Sequence, residues 1–261
     1  WGRACIYRCP ILYMPYPTIF LMMKNSYSCI RILLMGGWLI LSMCLLCQCK
    51  SKETTAVANY SKGFDGIDVS HHNGQIDWKT LRKNNKNIQF VYVKATEGKN
   101  HVDKNYLINA SEAHKQKFKV GIYHFFTSRS SATEQFVWFR KNADKTWQDL
   151  VPVVDVEDFK GWRSKEQLQD SLMVFVRLVK KHYGKLPMIY THQNFYNSYL
   201  YPRFNKHYLF IAAYRKTPPI IKGAKYDIWQ YTDAGRVQGI KRNVDLSRLS
   251  TKMKVKHIIL P

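Results

Sequence analysis

The chain has 261 residues, with 41 lysines and arginines against 18 acids and a formal net charge of +23. Residues 1–50 contain all six cysteines and no acid, so the rest of the chain is cysteine-free and basic. This excludes a disulfide-stabilised fold downstream, where about 200 residues are enough for one sizeable hydrophobic core.

The leader precedes the first predicted element. Residues 1–21 begin with Trp, and we interpret them as upstream sequence that is not translated. Residues 22–49 have the organisation of a signal peptide, because Lys24 and Arg31 form a basic head and residues 32–46 form an apolar run. That run is shorter than the roughly 20 residues that a membrane span needs, so we expect export rather than a transmembrane anchor.

Three cysteines close the leader and give it a second interpretation. Cys44, Cys47 and Cys49 resemble the end of a bacterial lipoprotein signal, although none of them follows the usual small residue. We therefore expect an exported protein of the bacterial cell envelope, either secreted or anchored to the membrane by a lipid. Residues 50–62 form a polar linker, which places the folded domain at residues 63–261.

Eight short runs rich in β-branched and aromatic residues predict eight strands. They are residues 63–70, 89–95, 120–126, 151–157, 188–191, 209–213, 228–231 and 244–246. Helical spacing separates the first five, at residues 78–85, 105–117, 132–144 and 165–183. Ser164 is the expected N-cap of the last helix. Strand followed by helix, repeated, is typical of a parallel sheet.

The last three strands are connected differently. The segment 214–227 contains two prolines and a glycine, and the segment 232–243 contains two glycines and no apolar stripe. Parallel neighbours need a crossover of a dozen or more residues, usually a helix. We therefore predict an α/β fold, an irregular TIM-like barrel of five βα units followed by three strands that lack full helices and can include an antiparallel pair.

Acids recur where these strands end. Asp155 and Glu157 stand two positions apart, so the alternation of strand side chains places both on one face. Asp68 ends the first apolar run, Glu97 follows the second, and Asp245 lies in the last. A single acid of this kind would be expected to pair with a lysine. Several at the rim that builds the active site of parallel barrels predict chemistry instead.

A set of motifs in a fixed order gives the chain a family resemblance. They are Gly-Ile-Asp-Val-Ser-His with Ile-Asp-Trp, Val-Lys-Ala-Thr-Glu-Gly with Val-Asp-Lys-Asn-Tyr, Gly-Ile-Tyr-His-Phe, Val-Val-Asp-Val-Glu, Pro-Met-Ile-Tyr-Thr, Asp-Ile-Trp-Gln-Tyr-Thr and Val-Asp-Leu-Ser. Across residues 63–249 the chain resembles the family 25 glycoside hydrolases, the CH-type lysozymes that cut peptidoglycan. The barrel of that family, five βα units and three more strands, agrees with the predicted element order.

The resemblance implies an N-acetylmuramidase that hydrolyses the β-1,4 bond between N-acetylmuramic acid and N-acetylglucosamine, with retention. It makes Glu157 the general acid and Asp155 its partner, with Asp68 as a further catalytic acid and Asp245 as a substrate-binding acid of the pocket. Crowded carboxylates suit this chemistry, because one charge raises the pKa of its neighbour. Asp155 either attacks the anomeric carbon or orients the substrate's own N-acetyl group to attack, and we favour the second route.

Other side chains at the strand ends are predicted to bind the sugar. Tyr123, Tyr190 and Trp229 can stack on sugar faces, with core packing as the alternative, and Gln230 and Glu97 join them as polar contacts. The expected partner is the glycan strand of peptidoglycan. We expect the protein to act as a monomer.

Histidines at the strand ends raise the question of a metal site. His71 and His72 are adjacent, so in an extended segment they point to opposite sides, and His124 and His192 stand alone. The domain sequence contains neither a His-x-x-x-His pair nor a cysteine cluster. We therefore predict an enzyme without metal or cofactor, in which most of these histidines are hydrogen-bonded pocket or surface residues.

Three other functions compete with this interpretation. Nucleic-acid binding is disfavoured, because the lysines and arginines are spread along the domain rather than gathered in a recognised motif. An anionic wall polymer or an acidic membrane explains the positive charge better. A chitinase-like glycosidase on another N-acetylglucosamine polymer would carry an additional Asp where Val153 stands. A non-catalytic protein that binds wall glycan stays open, although all the expected acids are present.

Overall fold

The computed structural model describes residues 60–261, so the predictions for the leader and most of the linker lie outside the described residues. Within this part nine strands form one sheet: β1 Gly66–Val69, β2 Phe90–Glu97, β3 His101–Val102, β4 Val120–Phe125, β5 Val153–Asp155, β6 Met188–His192, β7 Leu209–Ala212, β8 Ile228–Gly235 and β9 Val244–Leu249. The longer helices are α1 Trp78–Asn84, α2 Tyr106–Lys115, α3 Ala132–Asn142 and α4 Lys165–Tyr183. None of the helices in residues 60–261 is both long and apolar enough to span a bilayer.

Eight of these strands close into a barrel. Neighbours from β1 through β2 and β4 to β8 pair in parallel, whereas β9 pairs antiparallel with both β8 and β1 and completes the circle. The predicted irregular α/β barrel is confirmed, including the antiparallel pairing near its end. The parallel β7–β8 connection lacks a regular helix, as the two prolines in it predicted.

Large aromatic side chains fill the barrel interior. Phe90, Tyr92 and Phe210 are almost fully buried there, beneath the rim where the acids lie. Gly66 and Gly121 make room for two of them, because an added Cβ would stand 2.2 Å from the Phe90 ring or the Tyr92 ring. The strand residues that face outward pack against the helices instead. The interior is therefore a filled floor below the rim.

The longest helix shows how the outer layer forms. In α4, Leu168, Leu172 and Phe175 lie one turn apart and are completely buried. Burial of each such side chain contributes roughly 1.5–3 kcal/mol. Ser164 is the N-cap, as predicted, and accepts a hydrogen bond from the Gln167 backbone N–H. The helix ends at Gly184, whose φ of 76° suits glycine.

Some elements differ from the prediction. Strand β2 extends to Glu97, which is its last residue rather than part of the following loop. The two-residue strand β3 returns as a hairpin and pairs His101 with Glu97. A helical segment from Gln193 to Leu200 follows β6. A two-residue strand is too short to give a periodic pattern, and the segment after β6 is rich in aromatic and amide residues that favour helices only weakly.

Candidate active site

A cleft of about 180 Å³ opens at the carboxyl ends of the parallel strands. It is lined by Asp68, Tyr92, Tyr123, Val153, Asp155, Glu157, Tyr190, Phe210, Tyr214, Gln230 and Asp245. Seven of the nine predicted site residues are in this set. The structure thus brings together four acids that are far apart in the sequence, in a pocket with aromatic walls.

Asp155 lies at the end of β5 and is 6 % exposed. Burial, together with the neighbouring Glu157 charge, raises the pKa of Asp155 well above the usual range of a carboxyl group. Its Oδ1 atom has no hydrogen-bond partner among the described residues. Asp155 therefore keeps its proton more readily than an ordinary aspartate and has an unused acceptor at the floor of the cleft.

Glu157 follows two residues later and has a different partner. His192, the last residue of β6, places Nε2 2.8 Å from Oε2 of Glu157. Burial raises the pKa of Glu157, but hydrogen bonds from His192 and Asp155 oppose it and hold the value below the usual range. The hydrogen bond to Glu157 in turn raises the pKa of His192. These opposite pKa shifts favour the proton of the carboxyl pair on Asp155, whereas the predicted acid role needs it on Glu157.

A second pair of acids faces the first. Asp68 in β1 and Asp245 in β9 are opposite each other in the antiparallel register, so their side chains share a side of the sheet. Burial and the Asp245 charge raise the pKa of Asp68 well above its usual range. Burial also raises the pKa of Asp245, to about 6. These two carboxyl groups therefore hold a proton near neutral pH more readily than exposed aspartates do.

Gln230 fixes the orientation of this second pair. Its Nε2 donates hydrogen bonds to both carboxyl oxygens of Asp68, at 3.0 and 3.1 Å. Its Oε1 accepts from the hydroxyl groups of Tyr190 and Tyr214, both at 2.8 Å. Because every polar atom of the amide is engaged, the side chain cannot rotate without breaking several bonds. Gln230 thus acts as a rigid link between the tyrosines and the acids.

Two predicted site residues lie outside this lining. Glu97 is bound through its two oxygens by Lys94 at 3.0 Å and by Arg129 at 2.7 Å. Trp229 is 5 % exposed and donates its indole N–H to the Ala213 carbonyl at 2.9 Å. It follows from strand alternation that Trp229 faces away from Gln230 and the cleft. Their predicted contact with substrate stays a prediction.

A comparison with known protein families matches most of the strands that carry the cleft. The model of the glycosyl hydrolases family 25 matches residues 67–240, which include three of the four cleft acids. The chain belongs to this family. It is therefore a glycoside hydrolase, and the family 25 resemblance seen in the motifs is confirmed.

Relatives of the family 25 enzyme cover most of its described part. The protein YegX of Escherichia coli (strain K12) is 34% identical over 201 residues, 76% of this chain and 73% of that protein. An autolytic lysozyme of Clostridium acetobutylicum is 30% identical over 186 residues, 71% of this chain and 55% of that protein. A solved family 25 glycosyl hydrolase from Bacillus anthracis is 32% identical with a TM-score of 0.67, covering 73% of this chain and 90% of that one.

Three side chains of the family 25 site escaped the sequence reasoning. The sequence gives His192 no partner that would distinguish it from the other histidines. Tyr214 lies in the loop after β7 and is 47 % exposed. Lys94 is buried, and its charge opposes the burial that raises the pKa of Asp155. A signal existed for Lys94, because it continues the inward-facing series of Phe90 and Tyr92 in β2.

Two of the other histidines at the strand ends are hydrogen-bonded to neighbouring side chains. His71 Nδ1 lies 2.5 Å from an oxygen of Asp103. His124 is fully buried between Thr96 and Gln135, and burial lowers its pKa to about 3, so it is neutral. Within residues 60–261 there is no group of three or more His, Cys, Asp or Glu side chains arranged to hold a metal ion.

Proposed function

We propose that the protein is a lysozyme, an N-acetylmuramidase that hydrolyses the β-1,4 bond between N-acetylmuramic acid and N-acetylglucosamine in peptidoglycan. The observation that carries this proposal is the cleft itself, in which Asp155 with its raised pKa and Glu157 with its lowered pKa lie together with Asp68 and Asp245. The lysozyme among the relatives supports the choice of substrate. Tyr123, Tyr190 and Tyr214 provide the aromatic walls that a sugar ring requires.

The proton must move before Glu157 can act as the acid. The cleft suggests how substrate causes this. The amide N–H of an N-acetyl group is a donor that fits the unpartnered Oδ1 of Asp155. Such a bond stabilises ionised Asp155, so the shared proton passes to Glu157, which is the more exposed of the two and donates it to the leaving glycosidic oxygen.

The same contact favours substrate assistance over direct attack. Asp155 lies at the cleft floor and is suited to hold the acetamido group, whose carbonyl oxygen then attacks the anomeric carbon. This forms a cyclic oxazolinium intermediate as the bond to the leaving oxygen breaks. Glu157, now ionised, takes a proton from the water that opens the ring. Two displacements at one carbon give net retention of configuration.

The test is mass spectrometry of muropeptides released from purified peptidoglycan by the full chain. We expect products with muramic acid at the reducing end. Glu157→Gln keeps the shape of the side chain and removes the acid, so we expect turnover to fall by roughly 10²–10⁴-fold while glycan binding persists. Glu166→Gln, at an exposed position of α4, is the matched control and keeps full activity. Near wild-type turnover by Glu157→Gln would end the assignment.

Digests of peptidoglycan and of chitin oligomers, run side by side, separate the alternatives. A glycosidase acting on another N-acetylglucosamine polymer would cleave chitin oligomers and leave peptidoglycan intact. A non-catalytic wall-binding protein would sediment with peptidoglycan and release no reducing ends. Activity that survives a chelator is expected, because none of the proposed steps uses a metal.

We also propose that the enzyme is exported to the bacterial cell envelope, secreted or lipid-anchored, on the strength of the basic head and apolar run in residues 22–49. Fractionation of cells that express the full chain tests this. Labelling with a fatty-acid analogue, compared between wild type and a variant with Cys44, Cys47 and Cys49 changed to Ser, separates anchoring from secretion. Recovery of the enzyme in the cytosol would contradict export.

A further inference from the structure

A second concavity, of about 1150 Å³, shares no lining residue with the catalytic cleft. It runs between α1, α2 and the loop that joins β8 to β9. We call it the cationic groove and define it by His72, Lys79, Lys104, Asn109, Lys241 and Arg242. The lysozyme chemistry described above leaves this groove without a role.

The strand register places the groove at the mouth of the cleft. Asp68 and Asp245 are opposite each other in β1 and β9. The chain leaves β1 towards His72 and enters β9 from Arg242, so both reach the same rim. Arg242 Nη1 donates a hydrogen bond to the His72 carbonyl at 2.9 Å and joins the two loops there. The groove therefore begins at the rim on which the cleft opens.

The walls of the groove are held in place before any ligand binds. Asn73 donates its side-chain amide to the Asn243 carbonyl at 2.9 Å, and Ile76 forms a backbone bridge with Ile240. At Gly239, whose φ is 98°, the loop approaches the backbone of α1 so closely that an added Cβ would stand 2.7 Å from it. A preformed wall reduces the entropic cost of binding.

The groove carries positive charge that the protein does not neutralise. Lys79, Lys104 and Lys241 come from three separate segments, and within residues 60–261 no acid lies within 4.0 Å of their amines. The two acids of the lining are already engaged. Asp77 caps the first turn of α1, and Glu112 is paired with a neighbouring lysine. The groove is therefore suited to an anionic ligand.

Amide and apolar groups accompany these cations. Asn109 is 2 % exposed, and its Nδ2 has no hydrogen-bond partner among the described residues. Ile108 presents a side chain that is 58 % exposed. Amide donors bind peptide carbonyls, and an exposed isoleucine packs against small apolar side chains. This combination fits a short acidic peptide better than a phosphate polymer, which offers no amide or apolar contacts.

We propose that the cationic groove binds the carboxylates of the short acidic peptides that branch from peptidoglycan, while the glycan strand occupies the cleft. This inference rests on the proposed lysozyme function. The peptide is tethered to the same sugar that the cleft holds, so contacts in the groove raise the local concentration of the cleaved bond. The groove thereby selects glycan that still carries its peptides.

The experiment compares two substrates and two variants of the full chain. The substrates are intact peptidoglycan and the same material after an amidase has removed its peptides. The groove variant carries Lys79→Gln, Lys104→Gln and Lys241→Gln. The control carries Lys180→Gln, Lys181→Gln and Lys206→Gln, exposed positions at the opposite end of the barrel with the same loss of charge.

We expect kcat/KM on intact peptidoglycan to fall about five- to tenfold in the groove variant, because this is the effect of losing three exposed ion pairs with the substrate. The control and the wild type should keep the same preference for intact over stripped substrate. An equal loss in both variants would mean general charge attraction and would overturn the proposal. So would an equal loss by the groove variant on both substrates, because that outcome assigns the lysines to the glycan or to the fold.

Direct binding separates this proposal from the lysozyme assignment. The probe is a fluorescent alanyl-γ-glutamyl-diaminopimelate peptide, followed by polarisation against wild type and groove variant. We expect binding to the wild type that weakens in the groove variant, whether or not either substrate is cleaved. Binding that is unchanged in the variant overturns the proposal. Displacement of the probe by inorganic phosphate at equal concentration, but not by acetate, would assign the groove to phosphate and overturn it too.

Discussion

The bond between His192 and Glu157 predicts a change in the pH profile of the enzyme. In the wild type His192 Nε2 lies 2.8 Å from Glu157, and the raised pKa of His192 favours its charged form, which stabilises the ionised form of that carboxyl group. His192→Gln introduces a neutral side chain of similar length and so removes the charge. The carboxyl pair then holds its proton to higher pH. Because the enzyme needs that proton for the leaving group, the basic limb of kcat/KM should move upward.

The size of this shift follows from the exposure of the pair. A hydrogen bond to a charged group contributes roughly 1.5–3 kcal/mol. The His192 side chain is 44 % exposed, so solvent screening favours the lower end, about 1.5 kcal/mol. At 1.36 kcal/mol per pKa unit, this is about one unit. Above the limb, the variant should therefore be up to about tenfold more active than the wild type.

Other charged groups near His192 decide which controls are needed. Asp233 also raises the pKa of His192, and Tyr190 and Tyr214 pack against its ring. Asp233→Asn should therefore move the limb less than His192→Gln does. His182→Gln, near the carboxyl end of α4, removes a histidine far from the cleft and should leave the profile unchanged.

The assay is initial-rate release of reducing ends between pH 4 and 9 at constant ionic strength. A limb that stays in place in His192→Gln would refute the electrostatic reasoning. If kcat fell equally at every pH instead, His192 would serve only to position Glu157. An arginine at 192 then discriminates further, since it restores the charge and should return the limb towards the wild-type position.

Three further predictions concern the cleft and its floor. Asp245→Asn should raise the free energy of unfolding at pH 7 by about 1–2 kcal/mol, because the carboxyl group with its pKa near 6 is destabilised there, and this gain should shrink as the pH falls towards 4; chemical denaturation at several pH values measures it. Gln230→Leu leaves two tyrosine hydroxyls and Asp68 without their partner, so we expect a loss of about 2–3 kcal/mol in stability and a weaker affinity for substrate, measured by denaturation and by KM. Gly66→Ala forces the Phe90 ring away and should lower stability by about 1–3 kcal/mol in thermal unfolding, whereas Gly63→Ala, where the nearest atom would be 3.6 Å away, tests only the cost of its φ of 70°.

The sequence predicted the barrel because its strands are apolar runs separated by helical patterns. These patterns are local, so each element is visible without its neighbours. The four cleft acids were also predictable, since Asp155 and Glu157 stand at a strand end and a parallel barrel brings such ends together. Strand alternation was enough to place both on one face.

Pairings between distant elements were not predictable in the same way. His192 stands 35 positions after Glu157, and no spacing rule connects the last residue of β6 with the loop after β5. The lowered pKa of Glu157 depends on that pairing. For the same reason the sequence does not predict the ion pairs by which Lys94 and Arg129 engage both oxygens of Glu97. Such outcomes depend on side-chain partners rather than on the position of the backbone.

Strand β9 runs in reverse, so Asp245 reaches the rim near the start of its strand. The loop before it, residues 236–243, consequently lies at the rim that carries the cleft rather than at the opposite end of the barrel. A change in the length of this one loop would alter which branched polymers can thread past the entrance while leaving every strand pairing intact. Substrate selectivity can thus change through the loop 236–243 alone, while the catalytic carboxylates stay in place.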